Sequence, residues 1–213
     1  MTTVDLSRNE FLSTVQKACV GAGSDSALAA DIANACLELE AAGLASLAHL
    51  LPLLEAAAHL PARMAAQPYA HSQNGFFTHE VVMLRNGASA MDHLCLATLT
   101  VAQCDDLVLL AALIVSGCRA RGRFARIIAP GIPWAHLDHA YVVTAPERLV
   151  GPITVRFVPV EDHAALGLPP LPARLSVGMA HWAALKAAAD AVLVPANDTT
   201  RLRDAGAGLN DND

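Results

Sequence analysis

Charge is what this chain has least of: only 16% of its 213 residues are Asp, Glu, Lys or Arg, against about 25% in an ordinary soluble domain. Aromatic residues are equally thin at 4%. Long apolar runs are missing as well. The longest, Leu107 to Cys118, is interrupted by Ser116 and Gly117, and it falls short of the roughly 18–20 residues a membrane helix needs. It reads as a core helix, and no membrane partner is expected. The opening MTTVDLSRNE has no charged-then-apolar organisation, so no secretory signal is expected. The five cysteines (Cys19, Cys36, Cys95, Cys104, Cys118) are odd in number and never spaced as CxxC. That usage points to free thiols in a cytoplasmic protein rather than a disulfide frame or a zinc site. A net charge of −6 argues against nucleic acid as a partner. The sequence also lacks a GxSxG elbow, a P-loop and a dinucleotide glycine fingerprint, the marks that common hydrolases and nucleotide enzymes carry.

What is present is apolar and alanine-rich, 54% hydrophobic overall. Too few charges remain to cover so apolar a chain, and a self-association surface, hence a homo-oligomer, is expected. The length fits a single domain over 1–213, with a helical layer at 1–60 and a sheet-containing portion at 76–213. Ser7 and Glu10 have capping-box spacing. Phe11, Val15 and Cys19 then recur at helical period until Gly21 and Gly23. A second helix starts near Ser24 or Ser26, carries Leu28, Ile32, Cys36 and Leu39, and stops at Gly43. A third runs from about Ser46 to His59, with Pro52 kinking it or opening its second half. Residues 59–75 read as a connector.

Strands are expected at Phe76 to Leu84, Arg123 to Ala129, Ala140 to Ala145, Ile153 to Val160 and Arg174 to Ala180, from their β-branched and aromatic content. Asp105 and Asp106 open a helix through Leu113 to Cys118, which gives strand–helix–strand logic around 97–129. His181 to Leu193 is a last helix, opened by His181 and Trp182. The fold class is α/β or α+β, a helical N-terminal layer packed with a mixed β-sheet and further helices. Arg119, Arg121, Arg123 and Arg126 cluster where a helix ends at Gly122, so they are read as complementing that helix's C-terminus.

The last twenty residues, VPANDTTRLRDAGAGLNDND, break the apolar trend. Gly206 and Gly208 permit positive φ, and amides in such a turn can cradle an anion with Arg201 or Arg203 completing the charge. The same segment can instead be a strap pinned by Arg–Asp pairs to a neighbouring element or subunit. Its terminal Asn and Asp oxygens lack the spacing of a calcium loop, so no metal is expected. The candidate ligand site is Thr200, Arg201, Arg203, Asp204, Gly206, Gly208 and Asp211, with Asp92. No cofactor is assigned, and no residue is assigned to catalysis. Elsewhere, His136, Asp138 and His139 read as loop residues. Asp92 and His93, being adjacent, face opposite ways on a strand.

Four segments, SRNEFLSTVQKACVGAGSDSALAADIANACLELEAAGL, GASAMDHL, IIAPGIPWAHL and the tail, together resemble an uncharacterised bacterial family, domain of unknown function 3726. Thr200 stands where that pattern has serine, and Asp204 where it has a small residue. The resemblance implies no activity. A second one is to the malate/L-lactate dehydrogenase family of unusual fold, carried by GLASLAHLLPLLEAA, where Gly43, Ser46 and Pro52 fit. That family's functional histidine directly follows the serine, and here Leu47 stands there, with His49 two further on. Three expectations follow: a protein binding a small anionic metabolite, a metabolic oxidoreductase, or an accessory subunit whose tail latches onto a partner.

Overall fold

The computed structural model describes residues 2–58, 77–81, 83–84, 98–121, 124–128, 149–158 and 170–191. They form an α+β architecture of five helices, a two-stranded ribbon and a four-stranded mixed sheet. The helices are α1 (Arg8–Gly21), α2 (Ser26–Ala41), α3 (Ser46–Ala58), α4 (Leu107–Arg121) and α5 (Met179–Asp190). The strands are β1 (Thr3–Ser7), β2 (Phe77–Val81), β3 (Thr98–Cys104), β4 (Phe124–Ile128), β5 (Leu149–Val158) and β6 (Arg174–Gly178). The helix and strand expectations are met with shifted ends. The region read as Ala140 to Ala145 and the connector at 59–75 lie outside the described residues.

The first two helices start and stop by local chemistry. Ser7 Oγ accepts from the Glu10 N–H at 3.2 Å, and Asp25 Oδ1 accepts from the Ala27 and Leu28 N–H groups at 3.0 and 2.9 Å. Both N-caps thus satisfy amides that have no partner inside the helix. Both helices end in the same Schellman turn. Gly23 N–H donates to Val20 O and Ser24 N–H to Cys19 O, while Gly43 N–H donates to Glu40 O and Leu44 N–H to Leu39 O. Gly23 and Gly43 sit at φ 91° and 76°, the left-handed region in which glycine carries no Cβ penalty.

α2 is the hub. Residues from Leu28 to Leu39 are buried on nearly every side, the signature of a helix enclosed by others. Its neighbours are α1, α3 and α4, and α5 packs on α1 and α3. α4 is likewise buried from Leu109 through Val115, as expected of the apolar run read as a core helix. Pro52 lies within α3 without ending it. It is exposed, as is Ala48, whose carbonyl loses its usual i+4 donor to the proline ring.

One element was hidden in the sequence. The first residues do not lead straight into a helix: β1 pairs antiparallel with β6, from Thr3 opposite Gly178 to Ser7 opposite Arg174. TVDLS has no strand partner nearby in sequence, so nothing local marks it. The ribbon closes the chain's start onto its far portion, with Arg8 N–H donating to Ala173 O and Met179 N–H to Thr2 O.

The mixed sheet has the order β2–β3–β5–β4. β2 and β3 are parallel, and β5 runs antiparallel between β3 and β4. Helix α4 therefore connects β3 to β4 across an intervening strand. The β3–β5 register shifts between Val101 and Gln103, opposite Gly151 and Pro152. A proline inside a central strand cannot donate to the ladder, and a bulge is how a sheet accommodates one.

Candidate functional site

The eight residues assigned to a ligand site from the sequence, namely Asp92, Thr200, Arg201, Arg203, Asp204, Gly206, Gly208 and Asp211, lie outside the described residues. His93, His136, Asp138 and His139 lie outside them too. The described residues gather a different set of polar side chains, where the end of α2 and the starts of α3, α4 and α5 converge.

Asp106 caps α4. Its Oδ1 accepts from the Leu109 N–H at 2.7 Å, and its Oδ2 lies 2.9 Å from His49 Nδ1. The neighbouring Asp105 carboxylate accepts from the Asp106 N–H at 3.1 Å and from the Met83 N–H at 3.0 Å. The Cys104 thiol donates to Asp106 O at 3.2 Å. Asp106 is thus held at both its backbone and its side chain before it meets the imidazole. With the carboxylate on Nδ1, that nitrogen carries the proton. The Asp106 side chain is 10% exposed and that of His49 23%, so the histidine is the member a solute meets first.

One turn back along α3, Ser46 is fully buried. Both of its donors go to Glu40, Oγ at 2.6 Å and N–H at 2.8 Å from Oε1. The Glu40 carboxylate therefore caps α3 from the last turn of α2. It lies at the negative end of one helix dipole and the positive end of the next. Burial raises the Glu40 carboxyl above its ordinary value of 4.5; the two Ser46 bonds and the charge of His181, on the first turn of α5, oppose that rise without cancelling it. Burial likewise raises Asp105. Cys36, one turn back on α2 and wholly enclosed, is raised far above a normal thiol, and Cys19 is pushed up to about 12 by burial. Cys19, Cys36 and Cys104 are free and buried. Such thiols are packing groups, since the reactive form is the thiolate.

The Glu40 shift has a testable sign. A carboxyl whose folded pKa exceeds its unfolded one binds its proton more tightly when folded. Stability is therefore lost as pH rises from 4.5 to the raised value, and stays level above it. Glu40→Gln keeps an oxygen that can accept from both Ser46 donors and removes the buried charge. Its Tm is expected to match the wild type at pH 4 and to lie above it at pH 7. Thermal melts across that range check this. A Glu40→Gln Tm below wild type at pH 7 and equally below it at pH 4 would contradict the assignment.

One sequence reading changes at this level. Arg119 does not serve only the end of its helix: it reaches α2 and binds Glu38 through two bonds, Nε to Oε1 at 2.6 Å and Nη2 to Oε2 at 2.8 Å. The side chains of Arg121, Arg123 and Arg126 lie outside the described residues. Leu47, where the dehydrogenase resemblance has its functional histidine, is 1% exposed and part of the core. The structural histidine of α3 is His49, three residues after Ser46 and so on the same face. No group of three or more His, Cys, Asp or Glu positioned for a metal occurs among the described residues. Nor, among them, is any helix long and apolar enough to cross a membrane.

The sequence marked Asp106 as a helix opener but not as a histidine partner. His49 and Asp106 are 57 positions apart, and no local spacing encodes such a pair. The one available signal was that a capping aspartate uses a single oxygen on its helix, leaving the other for a distant donor.

No curated protein and no solved structure matches the chain. Residues 6–98 match a family model described as Protein of unknown function (DUF3726). That segment holds Glu40, Ser46 and His49, while Asp106 and His181 lie beyond it. It also takes in the first two segments on which the sequence resemblance rests and stops before IIAPGIPWAHL and the C-terminal tail. The likeness to this family of unknown function therefore extends over residues 6–98 of the chain.

Proposed function

We propose that this protein is a cytoplasmic homo-oligomer that binds a small anionic metabolite, a carboxylate or phosphate, at the His49–Asp106 pair. The observation that carries the reading is the pair itself: a part-exposed imidazole 2.9 Å from a nearly buried, doubly anchored aspartate. An aspartate–imidazolium pair is neutral as a whole, so it offers a ligand a strong hydrogen bond but little net charge. The missing positive charge comes from elsewhere in the chain. Arg201 and Arg203, with the amides around Gly206 and Gly208, have the chemistry for it, and Thr200, Asp204, Asp211 and Asp92 complete the set. The lack of nucleophile and nucleotide motifs in the sequence supports binding over the oxidoreductase and accessory-subunit readings.

A thermal-shift panel of succinate, glutamate, inorganic phosphate and NAD tests this. Wild type is expected to shift with at least one of the three small anions. His49→Gln is expected to need at least tenfold more of that anion for the same shift, and Arg201→Ala/Arg203→Ala to weaken it similarly. No shift with any of the three sinks the reading. A shift with NAD alone favours the oxidoreductase reading.

A further inference from the structure

The strongest unused feature is the pair of bonds from Ser46 to Glu40. Within the proposed site, these are the contacts that fix the start of the helix carrying His49. α3 follows α2 after only the Gly43 turn, and its first turn has free N–H groups that need partners. Ser46 does not cap the helix with its own oxygen. Instead both its hydroxyl and its N–H point to one oxygen of Glu40. The carboxylate thereby sets where α3 begins relative to α2. One turn on, at i+3 from Ser46, His49 must arrive within hydrogen-bond distance of an aspartate belonging to another helix, α4. An error of about 1 Å at the start of α3 would carry through to the imidazole and break a 2.9 Å bond.

We propose that Glu40 is the positioning residue of the His49–Asp106 pair, holding α3 through Ser46 at the setting where the imidazole meets the aspartate. The proposal deepens the binding reading above, and its test needs no ligand. The titratable groups that act on Glu40 or are acted on by it are His181 on α5 and Cys36 on α2. Of these, Cys36 is a buried neutral thiol. His181 acts on Glu40 through its charge, so the hydrogen bonds to Ser46 are the mechanical link.

The experiment is nitrogen-15 NMR of the histidine side chains in the full chain, with the His49 ring assigned by its loss in His49→Gln. In wild type, His49 is expected to show the Nδ1–H tautomer with a slowly exchanging, downfield Nδ1 proton. Glu40→Ala is expected to lose that proton signal and to average the two ring nitrogens. Glu40→Gln, which still accepts from both Ser46 donors, is expected to restore the wild-type pattern. A packing role alone would not be rescued by an amide in this way while also controlling the tautomer of a ring on another helix. An unchanged His49 spectrum in Glu40→Ala overturns the proposal. Should that variant fail to fold, Ser46→Ala removes the hydroxyl bond and keeps the amide one. A partial loss of the downfield proton then supports the proposal, and an unaltered spectrum overturns it. An altered His49 spectrum in a protein that shifts with no anion would separate the two claims, upholding the positioning role while removing the binding reading.

Discussion

Replacing Arg119 by methionine is expected to cost about 3–5 kcal/mol, because it leaves the Glu38 carboxylate buried without its main charged partner. Glu38 is 2% exposed and Arg119 27%. The asymmetry decides which single variant is worse. Glu38 is enclosed towards the C-terminal end of α2, whereas the Arg119 side chain stays partly exposed. Glu38→Met is therefore expected to cost the smaller amount, since the stranded arginine can hydrate. The double variant Glu38→Met/Arg119→Met should recover most of the loss, as apolar replacements of similar volume do for buried pairs. For a chain of this length, 3–5 kcal/mol corresponds to a Tm drop of roughly 6–20 °C. Thermal or urea melts of the four proteins check it. Equal costs for the two single variants, adding in the double, would mean the pair is not coupled. The pair also does what apolar contacts between α2 and α4 cannot: it allows a single register, because two parallel bonds form only when Nε and Nη2 face both carboxylate oxygens.

How much of this was legible from sequence depends on the distance over which each feature is encoded. α1, α2 and their ends were readable because caps and Schellman turns are written within six residues: Ser7 with Glu10, and Gly23 and Gly43 after their helices, although the cap of α2 is Asp25 and not the neighbouring Ser24 or Ser26. The mixed sheet was readable as strands but not as an order, since β5 slots between β3 and β4 only in three dimensions. β1 was missed because its partner, β6, is about 170 positions away. A five-residue strand that alternates over a single buried position, Leu6, carries almost no periodic signal.

The site was the least legible part, for the same reason. Ser46 reads as the start of the third helix, yet composition says nothing about a carboxylate turning from the end of the preceding helix to cap it. The His49–Asp106 pair joins residues that sequence reading had placed in unrelated roles. The resemblance to a dehydrogenase family drew attention to the first turn of α3, at the position that Leu47 occupies. Position 47 faces the core, and the histidine that reaches a carboxylate lies two residues on. The tail, which stands out most by composition, carries no described geometry, so its arginines and glycines remain part of the proposal.

Phe11→Ala is expected to be the most damaging change in the apolar core, also at about 3–5 kcal/mol. Phe11 is fully buried, and its ring stacks on Trp182 with centroids 6.4 Å apart and planes 15° from parallel. In a chain with so few aromatics, this contact is the main large-ring clasp between α1 and α5 among the described residues. Truncation removes the transfer energy of the ring and leaves a cavity against a flat indole that cannot collapse into it. The aromatic pairing itself contributes about 0.5–1.5 kcal/mol, which a double-mutant cycle with Trp182→Leu would isolate. Denaturant melts followed by tryptophan fluorescence give both numbers, and a loss below about 1 kcal/mol would show that α5 does not depend on this clasp. The consequence reaches the site, because His181 precedes Trp182 on the first turn of α5 and its charge acts on Glu40. Loosening α5 should move that charge away and raise the Glu40 carboxyl further. The pH at which stability levels off should then lie higher in Phe11→Ala than in wild type. A variant that is simply destabilised, with the same pH profile displaced downward, would show that packing at Trp182 and electrostatics at Glu40 are independent.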